Sequence, residues 1–173
     1  IGKATANHLS KLGAKLTLVA RNEEKLKNTL LELGNQHAMY SFNLRQIEEI
    51  EKWFSVVVSQ TGAFDGLVHC AGVGERRPLQ MLKYDFIHNI MLINFYAFIE
   101  LTRVFAKKKN HLENASIVGV SSVASLKGDK SQTAYSASKG ALDSAIKPLA
   151  KELAAKKIRI NSVLPGFVKT QMH

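Results

Sequence analysis

The stretch "ASIVGVSS" (residues 115–122) is a nearly continuous run of small and apolar residues that ends in two serines. Polar residues do not alternate along it, which is typical of a strand buried on both faces of a parallel sheet. Four further segments are predicted as strands of this kind: "KLTLVA" (15–20), "HAMYSFN" (37–43), "GLVHCAG" (66–72) and "IRINSVLP" (158–165).

Segments with the apolar spacing of helices separate these strands. They cover residues 1–12, 22–33, 45–60, 83–109 and 133–156. Alternating strands and helices predict a parallel sheet with helices packed on both of its faces. The predicted fold class is therefore a doubly wound, Rossmann-like α/β fold with three layers. One domain is predicted over residues 1–173.

The composition is that of a soluble globular protein, with 46% apolar and 22% charged residues in a chain of 173. Cys70 is the only cysteine, so an intrachain disulfide is excluded and a reducing compartment is favoured. The longest apolar run, "IMLINFYAFIEL" (90–101), is too short and too interrupted to span a bilayer. We expect a cytoplasmic protein without a membrane partner.

The formal net charge of +10 raises the question of a nucleic-acid partner. The lysines cluster only at "AKKKN" (106–110) and "AAKKIR" (154–159), and no nucleic-acid-binding motif accompanies them. Solvated surfaces are the favoured interpretation, and no nucleic acid is expected. An acidic carrier or a phosphorylated part of the substrate is the other interpretation. A metal site is not expected, because His69 has no second ligand at usable spacing.

Small and polar residues follow the predicted strands at their carboxyl ends. They are Arg21, "AGVG" (71–74), the two serines at 121–122 and "PGFVKT" (165–170). Parallel sheets bind ligands outside the carboxyl ends of their strands. These residues are therefore predicted to converge on one site.

Tyr135 and Lys139 lie four residues apart in "SQTAYSASKGALD" (131–143), so a helix places both on one face. An ordinary phenol, with a pKa of about 10, holds its proton too tightly for ready exchange at neutral pH. A nearby ammonium stabilises the phenolate. Tyr135 is thus predicted to act as an acid and, once deprotonated, as a base. Ser122 can donate a hydrogen bond to an oxygen on which negative charge develops.

This set of residues resembles the short-chain dehydrogenases/reductases. Ser122 stands thirteen residues before Tyr135, as in the family, and Asn94 in "LINFYAF" (92–98) stands at the family's fourth catalytic position. "HCAG" (69–72) is similar to the family's Asn-Asn-Ala-Gly segment, and "RINSVLPGFVKT" (159–170) to its strand–Pro–Gly segment. The resemblance implies that Asn94, Ser122, Tyr135 and Lys139 are catalytic, with Tyr135 as the acid that protonates a carbonyl oxygen during reduction and as the base in oxidation. It also implies that Ser122 donates to the same oxygen, that Asn94 positions water, and that Lys139 holds the nicotinamide ribose.

The resemblance also implies a nicotinamide dinucleotide. Ala20 ends the predicted strand at 15–20 and Arg21 follows it, with no carboxylate at either position. A carboxylate there would bind the ribose 2′-hydroxyl, whereas a guanidinium pairs well with a 2′-phosphate. NADP(H) is therefore expected over NAD(H). The residues implied in cofactor binding are Ile1, Arg21, Asn43, Leu44, Ala71, Gly72, Tyr135, Lys139, Pro165, Gly166, Val168 and Thr170.

The sequence departs from the family at both ends and in one motif. Only Ile1 and Gly2 remain of the family's glycine-rich turn, and the fold is expected to be truncated at both ends. His69 and Cys70 stand in place of two asparagines.

The predicted function is hydride transfer between NADP(H) and a ketone or secondary alcohol, with a 3-oxoacyl thioester as the first candidate and a homodimer or homotetramer implied. The alternative is a non-catalytic nucleotide-binding or regulatory homologue. The presence of all four catalytic residues favours the enzyme.

Overall fold

The five apolar runs form strands, and each strand pairs in parallel with a neighbour. The computed structural model describes residues 1–169. The strands are β1 (Thr17–Ala20), β2 (Ala38–Ser41), β3 (Phe64–His69), β4 (His111–Val120) and β5 (Arg159–Val163). β1 pairs with β2, whereas β4 lies between β3 and β5 in a second sheet. Parallel sheets flanked by helices confirm the predicted fold class. Their division into two sheets could not be predicted from alternation alone.

Six α-helices accompany these strands in the described part of the chain. They are α1 (Gly2–Lys11), α2 (Glu23–Leu33), α3 (Ile50–Thr61), α4 (Tyr84–Met91), α5 (Ala97–Phe105) and α6 (Thr133–Ala154). Short 3-10 helices cover Ile47–Glu49, Leu79–Met81 and Val123–Ser125. None of the helices within residues 1–169 is long and apolar enough to cross a membrane.

The segment predicted as one helix over 83–109 is interrupted. A π-helical turn, Leu92–Tyr96, separates α4 from α5, and the Ala97 N–H donates to the Leu92 carbonyl, five residues back. Such a turn inserts one residue into an otherwise regular helix. The apolar pattern runs through it without a break, which is why the sequence did not indicate it.

The residues fall into two compact units, of which the first is Ile1–Gln46. It contains α1, β1, α2 and β2, and Ala20 is paired with Ser41, so the two strands end level with each other. Buried His37 directly precedes β2 and contacts the chain before β1. Its Nδ1 accepts from the Leu16 N–H at 3.1 Å, and its Nε2 lies 2.9 Å from Ser10 Oγ. Arg21 and Asn43 therefore follow neighbouring strand ends.

The second unit begins at Ile47 and has its core around β4. A Cβ on Gly119 would lie 3.1 Å from both Leu142 Cδ2 and Phe98 Cε2, so α5 and α6 pack directly on the strand backbone at this point. This close packing places the first turns of α6 beside the end of β4. The strand ends are joined there, because the Ser121 N–H donates to the Val163 carbonyl at 2.8 Å.

The prediction of a single domain over residues 1–173 stays a prediction.

Candidate active site

Helix α6 carries Tyr135 and Lys139 one turn apart, beside the end of β4. Lys139 is only 4% exposed, and its Nζ donates to the Val120 carbonyl at 2.7 Å. The ammonium lies 6.0 Å from the centroid of the Tyr135 ring. At this range a cation interacts with an aromatic ring electrostatically. The structure thus holds a buried positive charge next to the phenol.

The loop after β3 presents bare backbone to these two side chains. A Cβ on Gly72 would lie 3.4 Å from both Lys139 Nζ and Asn94 Oδ1, and a Cβ on Gly74 would lie 3.3 Å from the Tyr135 ring. Side chains at either position would crowd the site. The "AGVG" segment, predicted at a strand end, and the phenol–ammonium pair, predicted on a helix, are therefore in contact.

Asn94 lies at the middle of the π turn and is fully buried. Its Oδ1 accepts from the Val73 N–H at 2.8 Å, while its Nδ2 donates to the Val73 carbonyl and to Ser138 Oγ, both at 2.9 Å. Ser138 Oγ in turn donates to the Tyr135 carbonyl at 2.7 Å. Both amide protons are used, so only Oδ1 can accept a further hydrogen bond. The sequence prediction missed Ser138, although it directly precedes Lys139.

Ser122 lies between β4 and the short helix Val123–Ser125. Its Oγ accepts from the Ala124 N–H at 3.1 Å, which leaves the hydroxyl proton available for another acceptor. It follows Val120, the acceptor of the Lys139 ammonium, by two residues, and its short helix packs against α6. Ser122 therefore belongs to the same region as Lys139.

Burial controls the protonation of Lys139. It lowers the pKa of Lys139 to about 8, while the nearby Asp143 carboxylate and then Cys70 oppose the decrease. Asp143 is held in place by Ser121, whose Oγ donates to Asp143 Oδ2 at 2.8 Å. The sequence prediction missed Asp143. The signal was its spacing, since 135, 139 and 143 follow one another by four residues along one helix face.

His69, the last residue of β3, is 2% exposed and lies close enough to the Lys139 ammonium to be affected by its charge. Its pKa is lowered to about 4, first by burial and then by the Lys139 ammonium, whereas the hydrogen bond to the Ile93 carbonyl opposes the decrease. The imidazole is therefore neutral at neutral pH. A second cation does not form beside Lys139.

The segment after β5 contains predicted cofactor residues of the second unit. The Pro165 carbonyl accepts from the Val123 N–H at 3.1 Å, which attaches this segment to the short helix after Ser122. Gly166 and Val168 are exposed. Ala71 precedes Gly72 in the loop after β3, whose residues 71–74 we call the glycine loop. Thr170 lies outside the described residues.

Four predicted cofactor residues belong to the first unit. The Ile1 carbonyl accepts from the Thr5 N–H at 2.9 Å in the first turn of α1. Arg21 is exposed directly after β1, and its carbonyl accepts from Ser41 Oγ at 3.1 Å. Asn43 Oδ1 accepts from the Arg45 N–H at 3.2 Å, and Leu44 beside it is half-buried. The Arg21 guanidinium forms no ion pair with any residue in 1–169.

Comparison with known proteins identifies the family. Residues 1–173 match the family model described as short chain dehydrogenase. The chain belongs to this family of oxidoreductases, whose members use nicotinamide cofactors.

Individual relatives are similar over nearly the whole chain. The 3-oxoacyl-[acyl-carrier-protein] reductase of Mus musculus is 36% identical over 172 residues, which cover 99% of this chain and 72% of the mouse protein. Carbonyl reductase family member 4 of Xenopus laevis is 33% identical, with 99% and 72% covered. The crystal structure of a dehydrogenase/reductase from Sinorhizobium meliloti 1021 superposes with a TM-score of 0.92 at 28% identity, covering 99% of this chain and 69% of that chain.

Replacing Asp143 with Asn should lower the pKa of Lys139 further. The carboxylate favours the charged ammonium, so its removal leaves the cost of burial less opposed. An NMR titration that follows the Lys139 side-chain carbon next to the amine should show a midpoint at lower pH than in the wild type.

Glu152→Gln provides the matched control, since it removes an exposed carboxylate from the same helix. This control should leave the Lys139 midpoint unchanged. Equal midpoints in Asp143→Asn and the wild type would contradict the electrostatic role of Asp143.

Proposed function

We propose that the chain transfers a hydride between NADP(H) and a ketone or secondary alcohol. The observation that supports this proposal best is the buried Lys139 ammonium beside the Tyr135 ring, with the backbone of Gly72 against it. A phenol beside a buried cation is suited to exchanging a proton with a carbonyl oxygen. Asn94 and Ser122 complete the proposed catalytic set.

The residues present fit a nicotinamide dinucleotide. When bound, the reduced nicotinamide supplies the hydride. Lys139 Nζ has three protons and donates one to Val120, which leaves two for ribose hydroxyls. Gly72 and Gly74 keep the adjoining backbone free of side chains. Further contacts are proposed from Ile1, Asn43, Leu44, Ala71, Pro165, Gly166 and Val168.

Tyr135 is the proposed proton donor. As negative charge developed on the carbonyl oxygen of a substrate that receives a hydride, this oxygen would take the phenol proton of Tyr135, which would give the alcohol. The adjacent ammonium stabilises the phenolate left on Tyr135. The free hydroxyl proton of Ser122 can donate to the same oxygen and reduce its developing charge.

Asn94 is proposed to help return a proton to Tyr135. Its amide protons are committed to Val73 and Ser138, so a water molecule can be held only through the remaining capacity of Oδ1. The same bonds fix the position of the Val73 backbone. The alternative of a non-catalytic homologue is less favoured, because it gives no reason for Asn94, Ser122, Tyr135 and Lys139 to be present together.

Tyr135→Phe should lower kcat for ketone reduction by about 100-fold or more, since the proton donor is lost. Binding of NADPH, measured by its fluorescence, should change little. The assay follows NADPH oxidation over a panel of ketones that includes a 3-oxoacyl thioester.

Tyr84→Phe is the control, because Tyr84 is 75% exposed on α4, outside the proposed catalytic set. It should leave kcat unchanged. Wild-type turnover by Tyr135→Phe would refute the proton-donor role.

We propose that Arg21 selects NADP(H) over NAD(H). The guanidinium follows β1 at an exposed position, without an ion-pair partner in residues 1–169 and without a carboxylate at the strand end. Arginine pairs with phosphate through a fork of N–H donors. A 2′-phosphate would therefore be attracted, while a bare ribose hydroxyl would gain little.

Arg21→Asp should decrease kcat/KM with NADPH by about tenfold or more, because a charge-assisted hydrogen bond is replaced by repulsion. The value with NADH should stay the same or rise. Lys15→Asp makes the same charge change before β1 and should affect neither cofactor. An unchanged ratio of the two values in Arg21→Asp would exclude this role.

A 3-oxoacyl group on an acidic carrier protein is the proposed substrate. Two features support it: several relatives are named 3-oxoacyl-[acyl-carrier-protein] reductase, and the two lysine clusters are adjacent. Lys156 Nζ donates to the Ala106 carbonyl at 2.9 Å, which joins the ends of α5 and α6. Lys107 and Lys157 are paired with glutamates, whereas Lys108 and Lys109 are exposed.

Replacing Lys108 and Lys109 together by Glu should raise KM for a carrier-linked 3-oxoacyl substrate several-fold, most strongly at low ionic strength. KM for the same acyl group on a small thiol should not change. A matched double charge reversal at Lys11 and Lys15 should affect neither substrate. Equal effects on both thioesters would count against carrier recognition at this surface.

The remaining proposals concern the cellular location and the oligomeric state of the protein. A single cysteine favours a reducing compartment, which supports a cytoplasmic protein. The family resemblance supports a homo-oligomer.

A further inference from the structure

The π turn Leu92–Tyr96 is attached to the end of β3 through a buried histidine. His69 Nε2 lies 3.3 Å from the Ile93 carbonyl oxygen. A carbonyl can only accept, so the imidazole donates from Nε2, and Nδ1 of the neutral ring is unprotonated. The ring also packs against Phe98 with 5.6 Å between centroids. His69 thus combines a packing contact with one directed hydrogen bond.

The next residue of the turn makes a second attachment to the same loop. Asn94, adjacent to Ile93, holds both the N–H and the carbonyl of Val73. The two attached residues, His69 and Val73, are four residues apart along the chain. We call these two attachments, His69 to Ile93 and Asn94 to Val73, the loop clamp.

The loop clamp encloses the glycine that lies against the ammonium. Gly72 is inside the clamped segment, and a Cβ on it would be 3.4 Å from Lys139 Nζ. Displacement of a backbone carbonyl or amide in this segment would change the distance between the loop and the Lys139 ammonium. Displacements of about 1 Å at a reacting centre alter rates on the order of 100-fold.

We propose that His69 is a positioning residue: its hydrogen bond to Ile93 keeps the glycine loop in register with the π turn. It touches neither substrate nor cofactor in this role and acts through Asn94 and the loop backbone. The inference rests on the proposed function only for its effect on turnover.

The test compares a variant that keeps the ring with one that keeps the donor. His69→Phe preserves the ring against Phe98 but cannot donate, whereas His69→Gln places an amide N–H at a similar reach. His69→Phe should lower kcat on the order of tenfold to 100-fold with little change in KM or in NADPH binding. His69→Gln should recover most of kcat. His8→Phe, at an exposed histidine on α1, is the control and should behave as the wild type.

A second readout does not depend on activity. Hydrogen exchange at the Val73 amide, which donates to Asn94, should be faster in His69→Phe than in the wild type and should be restored in His69→Gln. If His69→Phe does not fold, His69→Leu serves as the donor-free variant.

The outcomes separate the two proposals. Faster Val73 exchange in a protein that reduces no carbonyl, even as wild type, would support the loop clamp and refute the proposed function. Unchanged Val73 exchange and unchanged kcat in His69→Phe would overturn the positioning role. Equal losses in the Phe and Gln variants would overturn it as well, because the donor that Gln restores would then recover no activity.

Discussion

A positive charge buried beside a phenol is the constraint on which the rest of the site depends. An ammonium removed from water is costly unless its protons find acceptors and an opposite charge lies near. Lys139 has the Val120 carbonyl at 2.7 Å and the Asp143 carboxylate along the same helix face. Val120 is the last residue of β4, and Asp143 is held by Ser121, which directly follows that strand. The charge can therefore remain close to Tyr135 without exposure to solvent.

Main-chain groups, more than side chains, hold this arrangement together. Val120, Val73 and Ile93 contribute backbone groups to Lys139, Asn94 and His69, respectively. Backbone atoms move only with the strands and turns that contain them. The precise geometry of the site thus depends on strand register and on the π turn. Gly72 and Gly74 allow the loop after β3 to approach Lys139 and Tyr135 closely.

Much of the fold could be predicted from the sequence, because its signals are local. Continuous apolar runs indicated all five strands, and helical spacing indicated the segments between them. The four-residue spacing of Tyr135 and Lys139 likewise required only the geometry of one helix. The position of Asn94, Ser122 and Arg21 near strand ends or within a helix followed from the same pattern.

Other features were decided only by the tertiary structure. The π turn leaves the apolar pattern unbroken, and the division of the strands into two sheets has no local signature. His69 and Ile93 are 24 residues apart in sequence, as Asn94 and Ser138 are 44 apart. Contacts of this kind arise when packing brings distant segments together, so the apolar periodicity within a segment does not predict them. The sequence determined which residues could do chemistry, and packing determined which atoms hold them in place.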